Sequence, residues 1–373
     1  MFTRRQFIKG LLAGMALTAL NPLEALAADN TGKPILVAVH LTGGNDALNT
    51  LVPFKEAVYR KSRPNLAIGA KELLTVDKDL ALHPSLNRLH KRYQEGQVLL
   101  VPGVGREDHD RSHFRSSDIW HGAGHPGGDG WLASLGLQLK STPVSIGPSV
   151  SRAVACPDHP PVGLVGEKPA HFPAEKKLQQ VWFDMYRDWQ ADHSAGRRLK
   201  KSAAVVEELT TRLESQMAGA RLLYPFADDE FGKRFEMAYR LIASGFPAQL
   251  LHLSMGSFDT HSDQLENHAK QLSRFDAAAH AFLENIKSLG RPTTIMVYSE
   301  FGRRVAENFS GGTDHGAGGL AWIMGDNVKG GLHGHYQLED LRDGDLPTVV
   351  NYRSLYGKAV AASFGEQKSL ARF

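Results

Sequence analysis

The feature that most constrains the fold is a series of short, continuously apolar runs separated by amphipathic helical patterns. The first run, ILVAVHL at Ile35–Leu41, leads directly into a glycine-rich loop, TGGND. Similar runs occupy residues 98–101, 250–253 and 294–298, and a helical pattern covers residues 264–289. Strands buried on both faces have unbroken apolar runs, and strands that alternate with helices form parallel sheets. The sequence therefore predicts an α/β protein with a doubly wound, mostly parallel sheet.

One long segment departs from this alternation. Residues 176–245 are charged, almost free of glycine and proline, and periodic at helical spacing, which indicates two or three helices. We interpret them as a helical insertion at about residues 174–245 within a single α/β domain that spans residues 28–373.

The N-terminus has the pattern of an export signal of the twin-arginine type. Arg4 and Arg5 precede an apolar run at residues 11–20, and the small-x-small sequence Ala25-Leu26-Ala27 follows. Residues 1–27 are therefore predicted to be a signal peptide that is read by the twin-arginine translocase and cleaved after Ala27. A permanent N-terminal anchor is the alternative, although the run is short for a bilayer span. We expect a periplasmic or secreted protein without a stable membrane span.

Charge and cysteine content argue against a nucleic-acid-binding protein and against a protein held together by internal disulfides. The net charge is +3; the predicted signal carries three basic residues and one acidic residue, which leaves +1 for the rest. A nucleic-acid partner would require a strong basic excess. The single cysteine, Cys156, cannot form an internal disulfide. The 17 histidines are more informative, because many lie beside Asp, Ser or Gly.

The polar loops that follow the predicted strands share one property. Each carries a carboxylate, an imidazole, a guanidinium or a hydroxyl, and the candidates are Asp46, Ser112, Asp259, His261, Glu300, Arg303, Asp314 and His315. In an open α/β sheet, ligands bind beyond the carboxyl ends of the strands. The sequence therefore predicts that these loops converge on one site.

Metal-assisted hydrolysis is the chemistry that such a set suits best. Imidazole and carboxylate together favour a divalent ion such as zinc or manganese, and one or two ions can act on an ester. Ser112 opens a predicted helix, where backbone N–H groups favour an anion, and it is the candidate nucleophile. Arg303 or Arg115 is the candidate partner of phosphate or sulfate oxygens.

Structural roles remain open for several of these residues. Asp46 and Ser112 are also candidate helix N-caps, and Asp259 with His261 fits a cap followed by a surface histidine. Four further histidines fit either a second metal cluster or a mixture of site-lining and solvated side chains: His109, His113, His121 and His125.

Five segments carry a resemblance to a known family. The sequences VHLTGGNDALNTLVPF, DRSHFRSSDIWHGA, GSFDTHSDQ, YSEFGRRVAENFSGGTDHGAGG and GGLHGHY resemble the exported domain-of-unknown-function family 1501. That family looks like a member of the alkaline phosphatase superfamily, which includes sulfatases. The resemblance implies an alkaline-phosphatase-like sheet and covers nearly all of residues 28–373.

The resemblance also implies roles for individual residues. Asp46 matches the first metal ligand and Ser112 the nucleophile. Asp259 and His261 match the pair on one ion, Glu300 the acid of an Asp-His dipeptide, and His315, beside Asp314, the last histidine. The chain departs at Phe301, where the superfamily has a ligating histidine. A hydrolase of phosphate or sulfate esters and a non-catalytic exported binding protein with a reduced metal site therefore both remain open.

The loop GGTDHGAGG gives the most specific hypothesis. We expect His315 to share an ion with Asp259 and His261. Asp314 is then either a further ligand or the acceptor that orients an imidazole.

Overall fold

The structure is a computed structural model that describes residues 32–365. Within that range it leaves out residues 109, 125–127, 157–161, 166–167 and 170–175, and most of 191–219. The predicted signal, residues 1–27, lies outside the described residues.

The described strands are β1 (Ile35–Leu41), β2 (Leu51–Val52), β3 (Leu74–Thr75), β4 (Ala81–Leu82), β5 (Val98–Gly105), β6 (Val144–Ile146), β7 (Val162–Val165), β8 (Lys168–Pro169), β9 (Leu250–Met255), β10 (Thr293–Tyr298), β11 (Gly319–Gly325), β12 (Gly331–Leu332) and β13 (Val350–Asn351). The main sheet of this part of the chain has the order β12-β5-β11-β10-β1-β9-β6-β7-β8, with β13 beside β5. Strands β2, β4 and β3 form a small separate sheet.

The described helices are α1 (Ala47–Thr50), α2 (Ala57–Ser62), α3 (Asn87–Gln94), α4 (His113–His121), α5 (Trp131–Leu139), α6 (Lys176–Asp188), α7 (Glu230–Ala243), α8 (Gln264–Lys287) and α9 (Tyr352–Phe364), with a 3₁₀ turn at Arg152–Val154. Helices α7 and α8 pack against one face of the main sheet, with α3 beside them, and α4, α5 and α9 pack against the other. Helices on both faces of a largely parallel sheet are the predicted doubly wound architecture, which is confirmed.

Strand direction explains why polar loops meet at one edge. Strands β10, β1, β9 and β6 are mutually parallel. Strand β5 has the same direction because it and β10 are both antiparallel to β11, which lies between them. The carboxyl ends of β1, β5, β9 and β10 therefore share an edge. Residues 311–318 precede the reversed strand β11 and so arrive at this same edge.

The first strand shows how the alternating pattern sorts its side chains. Ile35, Val37 and Val39 belong to the core beneath α7 and α8, whereas Leu36 and Ala38 belong to the core beneath α5 and α9. His40 follows Leu36 and Ala38 at the period of two that strands impose. An imidazole is thereby placed inside the second, otherwise apolar face.

The predicted insertion is partly described. Its first helix is α6, and its last is α7, whose Phe231 and Phe235 are fully buried against the sheet. The boundaries of the insertion stay a prediction. Among the described residues, no helix combines the length and the apolar character that crossing a bilayer would require.

Candidate metal centre at the strand ends

Three side chains from two loops converge at the shared edge. The Oδ1 atom of Asp259 lies 3.1 Å from His261 Nε2 and 3.1 Å from His315 Nε2. The two Nε2 atoms lie 3.0 Å from each other. Nitrogen ligands at about 2.0–2.1 Å from one tetrahedral ion are roughly 3.3 Å apart, so this spacing fits three ligands of a single ion.

His113, the first residue of α4, adds a fourth donor. Its Nε2 lies 3.3 Å from Asp259 Oδ2 and has no hydrogen-bond partner among the described residues. His113, Asp259 and His315 each offer a ligand atom within 4.8 Å of the others. We call His113, Asp259, His261 and His315 the outer cluster. Asp259 and His261 are exposed, and the other two are half-buried.

The second ring nitrogen of each outer histidine has its own acceptor. His261 Nδ1 donates to Asp314 at 3.0 Å, and His315 Nδ1 donates to the Arg111 carbonyl at 2.8 Å. His113 Nδ1 donates to Glu300 Oε1 at 2.8 Å. A proton on Nδ1 leaves a lone pair on Nε2, which is how metal-binding histidines are usually oriented. Asp314 therefore has the position of an orienting acceptor.

Charge in the outer cluster is balanced locally. Partial burial would raise the pKa of Asp259, but its hydrogen bonds with His315 and Arg303 outweigh that effect and lower it. The hydrogen bond to Glu300 raises the pKa of His113. Without an ion, the cluster thus places an ionised Asp259 among three imidazoles, and a bound cation could balance its charge.

Asp46 lies apart from the outer cluster and has a structural environment. Its side chain caps α1 by accepting from the backbone N–H groups of Leu48 and Asn49. Arg63 Nη1 donates to its other oxygen at 2.6 Å, and Gln264 also contacts that atom. Burial raises the pKa of Asp46, but its partners, chiefly the Arg63 guanidinium, lower it further. Both oxygens thus have protein donors, in keeping with the N-cap alternative.

Arg303 is buried rather than facing a substrate. Its guanidinium donates to the carbonyl oxygens of Gly43, Gly44, Phe258 and Thr313. The same side chain donates to Asp259 Oδ1 at 2.6 Å. Arg303 therefore joins three loops and orients a candidate ligand, whereas the sequence had suggested a role at phosphate or sulfate oxygens.

Glu300 is also buried, directly behind the outer cluster. Its Oε1 accepts from Gly43 N at 2.9 Å and from His113, and its Oε2 lies 3.0 Å from His40 Nε2. Burial would raise the pKa of Glu300, but hydrogen bonds with His113 and His40 hold it well below its usual range. Glu300 is therefore an ionised acceptor for ligand histidines.

Phe301 packs against two imidazoles of the outer cluster. It is buried, and its ring centroid lies 4.9 Å from that of His113 and 4.7 Å from that of His315. A Cβ atom on Gly44 would approach its ring to 2.4 Å. An aromatic wall thus closes the outer cluster on this side.

Ser112 is the N-cap residue of α4, but its side chain makes no capping hydrogen bond. It is exposed and lies between Arg111, whose carbonyl accepts from His315, and His113. Its backbone N–H donates to Asp110 at 2.7 Å. The hydroxyl group is therefore placed beside the outer cluster without being used to cap the helix.

Two glycines allow the loops to approach this closely. A Cβ atom on Gly43, whose φ is +115°, would lie 2.3 Å from the Asp259 nitrogen. A Cβ atom on Gly312 would lie 2.3 Å from the His261 carbonyl carbon. Only glycine fits at either position without moving backbone, so the glycine-rich loops are part of how the site is assembled.

Sequence reasoning placed Asp259, His261 and His315 together but left three imidazole positions unassigned. His113 was one of four histidines with an undecided role, and His40 and His252 were not singled out. The available signal was a histidine inside an otherwise apolar strand, at ILVAVHL and LLHLSM. A polar ring at such a position must find buried partners.

The sheet and the side chains at the carboxyl ends of its strands define an α/β protein with a candidate metal centre. The chain belongs to the family described as Protein of unknown function (DUF1501), whose model matches residues 169–358. No curated protein sequence matches it.

Solved structures that resemble the chain include three bacterial proteins. The C-terminal periplasmic domain of EcEptC from Escherichia coli, in complex with Zn, has a TM-score of 0.38 at 7% identity, covering 80% of this chain and 74% of that one. Alkaline phosphatase from the Antarctic bacterium TAB5 has a TM-score of 0.37 at 9% identity, and the match covers 90% of this chain and 99% of that one. Phosphonate monoester hydrolase of Agrobacterium radiobacter has a TM-score of 0.36 at 9% identity, and the match covers 78% of this chain and 68% of that one. These scores describe a remote likeness.

Proposed function

We propose that the protein is an exported metal-dependent hydrolase of phosphate or sulfate esters, built on a sheet of the alkaline-phosphatase-like type. The observation that carries the proposal is the meeting of Asp259 Oδ1, His261 Nε2 and His315 Nε2 within 3.1 Å of one another. They meet at an edge that is open to solvent, where a substrate can reach a bound ion.

The residues fit a single ion of the zinc or manganese type. Three imidazole nitrogens and one carboxylate are a donor set for such ions rather than for calcium, which prefers oxygen. The unpartnered Nε2 of His113 is a donor that an ion would satisfy. Phe301 and the occupied oxygens of Asp46 argue for one ion rather than two. When bound, the ion would supply a Lewis acid that polarises the ester.

The remaining steps fall to the chain's own residues. The exposed Ser112 hydroxyl is the proposed nucleophile, beside the N–H groups of the first turn of α4, which favour an anion. Arg115 projects from the same turn, is 72% exposed, and contacts Asp110 at 3.2 Å, so it can exchange that partner for a substrate oxyanion. Buried Arg303 orients Asp259.

A substrate panel tests this function. Aryl phosphate and aryl sulfate esters would be assayed with added zinc, manganese, magnesium or calcium. Ser112→Ala should lower turnover by about 10³-fold or more, whereas Ser117→Ala on the same helix should retain it. Absence of turnover with every metal, on folded and metal-loaded protein, would contradict the proposal.

A non-catalytic binding protein is the second candidate. Phe301 favours it, because an aromatic ring cannot bind metal and a reduced site suits recognition better than hydrolysis. The same preparation distinguishes the two functions: a binder would hold metal at the outer cluster and yet leave every ester intact.

The export part of the proposal rests on the N-terminal sequence. Replacing Arg4 and Arg5 by lysine should leave uncleaved precursor in the cytoplasm. Replacing Lys9 by arginine is the matched control and should not reduce export. An unchanged periplasmic yield from the double variant would overturn it.

A further inference from the structure

Three buried histidines form a second group, which contacts Glu300 through one of its members. They are His40 in β1, His121 at the end of α4, and His252 in β9, and we call them the inner cluster. Their ring centroids are 5.0 Å apart for His40 and His121, 5.1 Å for His121 and His252, and 6.3 Å for His40 and His252. Each ring offers one nitrogen within 4.8 Å of the other two.

One nitrogen of each inner ring lacks a partner. His40 Nδ1, His121 Nε2 and His252 Nδ1 are buried and have no hydrogen-bond partner among the described residues. The side chains themselves are nearly inaccessible, with relative exposures of 1%, 8% and 0%. Buried polar atoms are nearly always satisfied, so three unsatisfied nitrogens in one cluster need a common explanation.

The opposite nitrogens show how two of the rings are oriented. His40 Nε2 donates to Glu300 Oε2 at 3.0 Å, and this proton leaves the lone pair of His40 on Nδ1. His252 Nε2 lies 3.0 Å from the Tyr298 hydroxyl and 3.4 Å from Ser151 Oγ. Imidazoles that bind metal are held in this way, with one nitrogen on a protein partner and the other free for the ion.

Burial disfavours the charged form of two of these rings. It lowers the pKa of His252 to about 3 and that of His121 well below its usual value. Neutral imidazole is the form that donates a lone pair to metal.

We propose that His40, His121 and His252 hold a second metal ion, separate from the outer cluster and independent of the hydrolase function. Three nitrogen donors without a carboxylate select a transition metal that favours imidazole, of the zinc or copper type, over calcium or magnesium. The ionised Glu300 contacts His40 at 3.0 Å and supplies negative charge beside the site. Because the site is closed to solvent, the ion is acquired as the chain folds and exchanges slowly.

Packing alone is the competing explanation. The rings of His40 and His121 meet edge to face at 88°, and His40 stacks on Tyr298 at 5.0 Å. Ring stacking accounts for these contacts but leaves all three free nitrogens unsatisfied. A packed, metal-free cluster would have to retain hydrogen-bonded water there instead.

Metal content after chelation separates these explanations. The chain would be produced in medium supplemented with zinc or, in parallel, copper, then treated with EDTA, and its metal measured by mass spectrometry. Wild type and His315→Ala should both keep a single chelator-resistant ion. His121→Gln should keep none, whereas His268→Gln, a buried histidine outside both clusters, should keep it. Which supplement yields the retained ion identifies the metal.

The proposal is overturned if wild type retains no ion from either supplement, or if His121→Gln retains as much as wild type. Should His121→Gln fail to fold, X-ray absorption on chelator-treated His315→Ala protein decides the matter. A shell of nitrogen neighbours at about 2.0–2.1 Å supports the site, and a shell dominated by oxygen refutes it. Neither measurement depends on ester turnover, so the proposed function and this site can fail separately.

Discussion

The outer and inner clusters are built from the same side chain and differ in what surrounds it. The outer cluster combines imidazoles with Asp259, and its histidines have acceptors on their second nitrogens. The inner cluster has no carboxylate within it and is closed to solvent. An open site that contains a carboxylate can exchange its ion and admit an anionic substrate, whereas a closed site without a carboxylate can only retain an ion. Accessibility and charge, rather than ligand type, separate a candidate reaction centre from a candidate structural metal.

The largest effect that would sharpen this contrast is loss of an outer ligand. His315→Ala should weaken metal binding at the outer cluster by more than about 100-fold and abolish ester turnover. Its free energy of unfolding, measured without metal, should change little, because the ring is partly exposed. Titration with a competing chelator and urea unfolding would measure the two effects. Undiminished affinity would remove His315 from the ligand set.

The next largest effect is the loss of stability expected when Arg303, which lies beneath the outer cluster, is replaced. The Arg303 guanidinium donates hydrogen bonds to four backbone carbonyl groups and to Asp259. In Arg303→Met all of these acceptors would lose that donor. Leaving a buried carbonyl without its hydrogen-bond donor costs about 1–3 kcal/mol, and Arg303 serves four such carbonyls. Arg187→Met, at an exposed ion pair with Asp184 on α6, should change the free energy of unfolding far less. Similar unfolding free energies for the two variants would contradict the supporting role of Arg303.

Glu300 tests whether the two clusters are connected. Its carboxylate contacts His113 in one and His40 in the other. Glu300→Gln should therefore weaken outer metal binding by about 10- to 100-fold, the usual effect of losing an acceptor behind a ligand, and make the inner ion removable by EDTA. Glu266→Gln, on the exposed first turn of α8, is the control. If only one cluster responds, the connection is wrong.

The sequence was most informative where local pattern and chain direction suffice. Apolar runs followed by polar loops predicted the strands, and the carboxyl-end rule predicted which loops supply Asp259 and His261. Burial of long polar side chains was not predictable in this way. Arg303 in SEFGRR has the appearance of a surface residue, and only tertiary packing shows that its donors are already used.

The inner cluster escaped prediction for a related reason. His40 and His252 are adjacent in space because β1 pairs with β9 in a register that sets Ala38 opposite His252. Neither the pairing nor the register can be read from one sequence. His121 joins them from α4, on the helical layer above the same face.

The smallest expected effect comes from substituting a buried histidine that lies outside both clusters. It tests whether burial without a metal ion is enough to keep a histidine neutral. His268 is fully buried, and burial lowers its pKa from 6.5 to about 3, as for His252. Its Nε2, however, contacts Asn45 Oδ1 at 2.9 Å, so it needs no ion. Because the folded chain binds this proton less readily than the unfolded chain, the stabilisation is present above pH 6.5 and is lost as pH falls towards 3. Over that window each such histidine costs about 1.4 kcal/mol per pH unit.

Between pH 4 and 6, the free energy of unfolding should therefore depend less steeply on pH in His268→Gln than in wild type. The slope should fall by up to about 1.4 kcal/mol per pH unit, and the metal content should not change. Exposed His335→Gln should leave the slope as it is in wild type. Urea unfolding at several pH values, with metal analysis of the same samples, makes the comparison. A loss of bound metal in His268→Gln would mean that the inner cluster extends beyond its three histidines, and that burial alone does not distinguish the two kinds of buried imidazole.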